Sequence, residues 1–283
     1  SPFKNFGATG SGGVDLSQLF ISPSIAWKIN ENHSLGAAIN FAYQRFKMEG
    51  IQPFDNPNFT ESVGDMTNNG YDSSVGWGVR LGYTGKITPT VTLGATWASK
   101  TYMGDFDKYR GLFAEQGGFD IPSNFGIGLA WQATPALTLA VDVQRILYSD
   151  IPAIANPVQN LLAGNRFGSD NGPGFGWDDV TVTKLGAAYT TGEWTFRGGY
   201  SYATQPIPDD QTFLNIYAPG VEQHHLTLGA TWAVSKTGEL SLSYMHAFKE
   251  TVKGSNSMAL VGGGEADISM YQNSFGIAYG WKF

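Results

Sequence analysis

The sequence has no cysteine, which removes disulfide frameworks, thiolate metal sites and cysteine nucleophiles together and fits a cell-envelope protein. Charge is scarce: charged residues make up 14% of 283 positions, against roughly 25% in ordinary soluble domains. Basic residues are outnumbered 17 to 24, the net charge is −7, and no Lys/Arg-rich cluster occurs, all of which argue against a nucleic-acid partner. No run approaches the roughly 18 apolar residues that a membrane helix needs, and mean hydropathy is only −0.17. The first residues carry no signal-peptide pattern, as in a mature, trimmed or fragmentary chain. What is abundant is glycine, with 37 residues, and aromatic side chains, at 14%.

The heptapeptide TLGATWA occurs twice, at 92–98 and 227–233. Read as alternate positions, Leu93, Ala95 and Trp97 oppose Thr92, Gly94, Thr96 and Ala98, and the second copy repeats the split. That is a strand period, with one bulky apolar face and one small polar face. The same division recurs in Val75, Trp77, Val79 and Leu81 against Gly76, Gly78, Arg80 and Gly82, and in Phe275, Ile277, Tyr279 and Trp281 against Ser274, Gly276, Ala278 and Gly280. A soluble barrel would leave the glycine face exposed, where it has nothing to pack. Turned outward into hydrocarbon, the bulky face has a use.

About eleven strands follow from alternation bounded by turn residues: 18–29, 34–48, 71–87, 90–103, 120–132, 136–149, 178–190, 193–203, 222–234, 239–249 and 268–283. Short connections at 30–33, 88–89, 133–135, 191–192 and 235–238 alternate with long ones at about 49–70, 104–119, 150–177, 204–221 and 250–267. Tight turns alternating with long loops predict an all-β, antiparallel, up-and-down transmembrane β-barrel with periplasmic turns and extracellular loops. Trp27, Trp97, Trp131, Trp194, Trp232 and Trp281 are expected near the short-turn ends as one interfacial girdle. Arg80 and Arg197 belong in the lumen, since an arginine facing lipid at mid-membrane costs about 2–4 kcal/mol. Bacterial single-chain barrels have even strand numbers. Eleven strands therefore predict an odd number of earlier ones, with residues 1–17 as the tail of an extracellular loop and 18–283 as barrel.

The segments YMGDFDKYRGLFAEQGGFDIPSNFGIGLAW, GFGWDD, DLSQLFISPSIAWKIN and the terminal SFGIAYGWKF together resemble the FadL-type outer-membrane transporters of long-chain fatty acids and other hydrophobic compounds. The likeness spans essentially the whole chain. It implies a fourteen-stranded barrel plugged by an N-terminal hatch, with three strands and the hatch outside this sequence, in the outer membrane of a Gram-negative bacterium. It further implies an outer capture site for a fatty acid or other hydrophobic small molecule, with no cofactor.

Two long loops are apolar enough to serve such a site. In 104–119, Tyr109, Leu112 and Phe113 fall at helical spacing, with Gly117 as a stop. In 150–177, Asn156 and Pro157 open a second short helix that carries Val158, Leu161 and Leu162 on one face and stops at Gly164. Facing one another, the two helices would form a groove lined also by Phe106, Phe167 and Phe175, or would simply pack and close the loops. In the lumen, Arg80, Lys100, Lys184 and Arg197 are candidate partners for a carboxylate, or with Asp142 a salt-bridge lattice. Arg45, Lys47, Lys249 and Lys253, near outer strand ends, are placed to meet lipopolysaccharide phosphates or solvent among outer-membrane lipid. His224 and His225 are adjacent on a strand and point apart, which disfavours a shared metal, and His246 falls on the lipid face. The acidic stretches 55–65 and 170–179 lack the ordered spacing of a calcium loop, and the glycines at 262–264 follow no phosphate-loop pattern. No nucleophile–base set suggests an enzyme. The expectation is a monomeric passive-uptake protein. A general diffusion porin is the alternative, and an adhesin or structural barrel is a third.

Overall fold

The computed structural model describes residues 3–282. Thirteen strands, β1 (Gly13–Ile21), β2 (Ser24–Lys28), β3 (His33–Glu49), β4 (Asp72–Lys86), β5 (Val91–Ala98), β6 (Tyr102–Met103), β7 (Asn124–Gln132), β8 (Leu137–Ile146), β9 (Val180–Thr191), β10 (Trp194–Ala203), β11 (His224–Ala233), β12 (Gly238–Val252) and β13 (Ile268–Trp281), form one sheet. Every pairing within it is antiparallel and, with β1–β2 and β5–β6 each counted as one divided strand, links neighbours along the chain. Among the described residues β1 and β13 are not paired to each other.

Two of the expected strands are divided. β1 and β2 both pair with β3 in continuous register, and the gap between them is Ser22–Pro23; proline has no N–H to give the ladder. Pairing starts at Gly13, so 13–17 are strand, not loop tail. β5 and β6 are likewise one strand along β4, but three steps of β4 (Trp77 to Arg80) face four steps from Ala98 to Tyr102, which defines a bulge at 99–101. Its last member, Thr101, is buried and bridges to Ile121.

Alternation sorts the two faces as the sequence predicts. In β3, Asn40, Ala42, Gln44, Phe46 and Met48 are buried while Ile39, Phe41 and Tyr43 are exposed. Ile277 is 76% and Phe275 81% exposed on the outer face of β13, with Gly276 between them. Trp27, Trp131, Trp194, Trp232 and Trp281 all face out near the short turns, and Trp194 stacks on its cross-strand partner Trp232 with centroids 5.7 Å apart. Trp97 departs from the expected girdle. It faces out but pairs with Phe125 at the loop end of β7, because β5 carries it six residues up from its turn.

The water-excluding core is not inside the sheet but at its long-loop end. Phe3, Phe54, Phe106, Tyr109, Phe113, Ile151, Phe167 and Phe213, drawn from the segment before β1 and from four different loops, form one cluster with Phe46 and Met48 of β3. Phe46 alone meets Phe106, Tyr109 and Phe113 with ring centroids 5.6, 4.8 and 4.8 Å away. Buried side chains stitch the loops across long sequence distances. Tyr109 Oη donates to Gly70 O (2.6 Å) and accepts from Met48 N (3.1 Å), Asn215 Nδ2 donates to Phe175 O (2.7 Å), and Trp177 Nε1 donates to Asn215 Oδ1 (2.6 Å). The loops thus form a cap over one end of a strand wall.

Candidate ligand-binding cavity

The inward face of the strands changes character along its length. Toward the short turns it is Gly, Ala, Ser and Thr, as in Gly94, Ala130, Gly186 and Ser243. At the loop end it turns bulky, with Leu16, Phe46, Ile146, Val180 and Ile268. Under the cap this upper wall and the loops enclose a cavity of about 430 Å³. Val14, Leu16 and Gln18 of β1, Phe46 of β3, and Phe119, Tyr148, Ile154, Phe175 and Trp177 from the loops line it, with Asp120 and Asn124 as polar members. Tyr148 packs edge-on against Trp177, centroids 5.1 Å apart, and burial pushes its phenol above the ordinary range.

Of the nine loop residues predicted to line a capture groove, the cavity takes only Phe175. Phe106, Tyr109, Leu112, Phe113, Val158 and Phe167 are buried in the cap cluster, Leu161 packs against it, and Leu162 is 65% exposed. The two amphipathic helices are not formed as predicted. Residues Asp107–Tyr109 make one 3-10 turn, and α1 (Ala114–Gly117) breaks at once, with φ of 58° at Glu115, 54° at Gln116 and 113° at Gly117. Left-handed backbone costs a non-glycine residue about 1–2 kcal/mol. Here it is offset by pairing with the other loop, Glu115 N donating to Ser169 O (3.3 Å) and Gln116 N to Gly168 O (3.0 Å). In the second loop α2 (Pro152–Ala155) and a 3-10 turn at Val158–Leu161 replace one helix from Asn156. Asn156 instead donates from Nδ2 to Gly172 O (2.8 Å). Tertiary hydrogen bonds outbid helical spacing in both loops.

The predicted lumen residues divide into committed and uncommitted groups. Lys100 sits in the bulge with its Nζ 3.0 Å from Asp120 Oδ2 and 5.1 Å from the Tyr102 ring centroid, so the cation nearest the cavity is already paired. Arg197 Nη1 donates to Thr231 Oγ1 (2.7 Å) and Lys184 Nζ to Gln144 Oε1 (3.4 Å). The Asp142 carboxylate lies over Gly128, in the space a side chain there would fill. Among the described residues no ion pair joins Asp142 to Arg80, Lys184 or Arg197. Arg80, Asp142 and Lys184 share a second hollow of about 760 Å³ with Gln144 and Asn124, and Asn124 also borders the apolar cavity above.

Phe46, Phe119, Tyr148, Ile154 and Trp177 escaped the sequence reading as cavity residues. The available signal was the loss of alternation at outer strand ends, where both faces of β3 and β8 are bulky. That doubling marks wall that meets a cap instead of an open lumen.

No curated protein matches the chain in sequence. Solved structures that share the fold include the Pseudomonas putida toluene transporter TodX, with TM-score 0.67 and 20% identity over 95% of this chain and 70% of that one. The Ralstonia pickettii toluene transporter TbuX follows, with TM-score 0.62 and 18% identity over 95% and 68%. A Pseudomonas aeruginosa FadL homologue gives 0.66 and 17% over 95% and 68%. These identities establish the fold; membership is carried by the family model for outer membrane protein transport proteins (OMPP1/FadL/TodX), which matches residues 4–283. With an outward apolar wall, a capped end and that match over nearly its whole length, the chain belongs to the FadL/TodX family of outer-membrane transport proteins of Gram-negative bacteria, which are transporters and not enzymes.

Proposed function

We propose that the protein mediates passive uptake of hydrophobic compounds, which enter through the loop cap and reside in the cavity beneath it. The observation that carries this reading is the lining itself: apolar side chains on nearly every side, with Gln18, Asp120 and Asn124 as the few polar groups. Transfer of an apolar molecule from water into such a lining is downhill, so no energy source is required. Phe175, together with Trp177 and Tyr148, is the contact surface we assign to the ligand. The remaining predicted loop residues, apart from the exposed Leu162, act by holding the cap together.

A fatty acid is a second reading, favoured by one feature. Asn124 borders both the apolar cavity and the hollow that contains Arg80, so a chain bound above would direct a carboxylate toward an arginine without an ion-pair partner among the described residues. A general diffusion porin needs neither the apolar cavity nor the closed cap.

Uptake by cells carrying Ala218→Trp, which fills the cavity, separates these readings. We expect toluene uptake to fall at least tenfold with sugar permeability unchanged. Arg80→Gln should lower fatty-acid uptake and leave toluene uptake intact. Undiminished toluene uptake through the filled cavity would overturn the proposal, and sugar permeability that falls in parallel would favour the porin.

A further inference from the structure

The outward faces of β1, β3, β4 and β6 form a graded surface in which the cationic groups lie directly above an apolar hollow. Register fixes the levels: Asp15 lies beside Lys47, Ser17 beside Arg45 and Ser73, and Leu19 beside Tyr43 and Val75. Ile21 lies beside Phe41 and Trp77, with Tyr102 next to Trp77. At the two lower levels Leu19, Phe41, Val75, Trp77 and Tyr102 surround a hollow of about 570 Å³ on the membrane side of the wall. Its floor is thin because Gly76 leaves room for the chain at Tyr102–Met103, which a Cβ at that position would strike.

The hollow begins two residues below Arg45, about 7 Å along the strand. The Arg45 Cζ lies over the Tyr71 ring, 4.1 Å from its centroid, and Lys47 Nζ is 5.3 Å from the centroid of the same ring. The acidic neighbours are occupied above that level. Asp15 accepts from Tyr71 Oη at Oδ2 (2.6 Å) and from Ser17 Oγ at Oδ1 (3.3 Å), and Glu49 holds Lys47 at 3.3 Å. Arg45 has no carboxylate within ion-pair distance among the described residues, and serine hydroxyls flank it on both neighbouring strands.

We propose that this surface is a docking site for lipid A of the outer leaflet, with a glucosamine phosphate on Arg45 and Ser73 and one acyl chain in the hollow below. The proposal rests on the outer-membrane placement above, which puts the cap end at the outer leaflet. Lys47 is held by Glu49, so it is Arg45, without an ion-pair partner among the described residues, that selects an anionic headgroup there. The hollow selects an acylated one. Because surrounding lipid tails are as apolar as this wall, the acyl contact supplies fit, and the phosphate contact supplies the preference.

Native mass spectrometry of the protein extracted in mild detergent tests the site with bisphosphorylated lipid A, its deacylated disaccharide and phosphatidylethanolamine as probes. We expect lipid A to be retained over phosphatidylethanolamine, Arg45→Gln/Lys47→Gln to lower retention at least tenfold, and the lumenal Arg80→Gln to leave it unchanged. Val75→Trp, which narrows the hollow without touching the cations, should weaken lipid A and spare the deacylated disaccharide. Equal retention by the double variant, equal binding of phosphatidylethanolamine, or equal binding of the deacylated disaccharide overturns the proposal. Toluene uptake should be unaffected by Arg45→Gln/Lys47→Gln, so loss of the uptake reading and loss of this one register in different assays.

Discussion

At the scale of single residues, Phe46 shows how one side chain serves two environments. Its backbone belongs to the wall and its ring to the cap, where it touches three aromatic residues of one loop. Phe46→Ala should destabilise the cap by about 3–5 kcal/mol, the usual cost of emptying a buried aromatic site. Hydrogen exchange should then rise at the amides of Tyr109, Leu112 and Phe113 and hold steady in β10 to β12. Residue types spoke clearly in the sequence wherever lipid was the neighbour, because hydrocarbon asks only for bulk on alternate positions. They spoke poorly for Tyr109 and Phe113, whose spacing is helical while both pack against Phe46 of β3. Spacing along a chain cannot report a bond such as that between Gln116 and Gly168.

Among the elements, the loop between β8 and β9 has a pH-dependent anchor. Burial alone would raise Asp179. The backbone N–H and hydroxyl of Ser149 and the guanidinium of Arg145, at 3.3 Å, outweigh it and hold the carboxyl below the usual range. A depressed folded-state value means that the ionised form is favoured by folding. Its stabilisation is complete above the ordinary carboxyl pKa of about 4 and disappears as pH falls through the lowered value. Trp177, two residues away, should report this as a red shift in emission on acidification below about pH 4, and Asp179→Asn should remove the pH step. The strands themselves were legible to within a few residues. The division of the first strand at Pro23 and the bulge at 99–101 were not, because a bulge leaves the types of its residues unchanged and alters only their count against the partner.

For the whole molecule, parity is the governing constraint. Ile277 faces out and Ser274 in, a few residues apart on β13. Ile277→Arg should lower folding stability in bilayers by about 2–4 kcal/mol, while Ser274→Arg should cost far less, as read by urea titration in lipid vesicles. An equal cost at both positions would contradict the facing. Composition and alternation carried the architecture to this level, whereas the cavity arose only where five separated segments converged.

The cap has a further consequence for assembly. Tyr217 Oη donates to Gly50 O across 167 positions of chain, and the Thr60–Phe167 bridge joins segments more than a hundred positions apart. Such closures bear a heavy loop-entropy cost until the intervening strands have zipped. Each hairpin must therefore cross the membrane with its distal end still slack, and the lid of this vessel sets only after its staves are aligned.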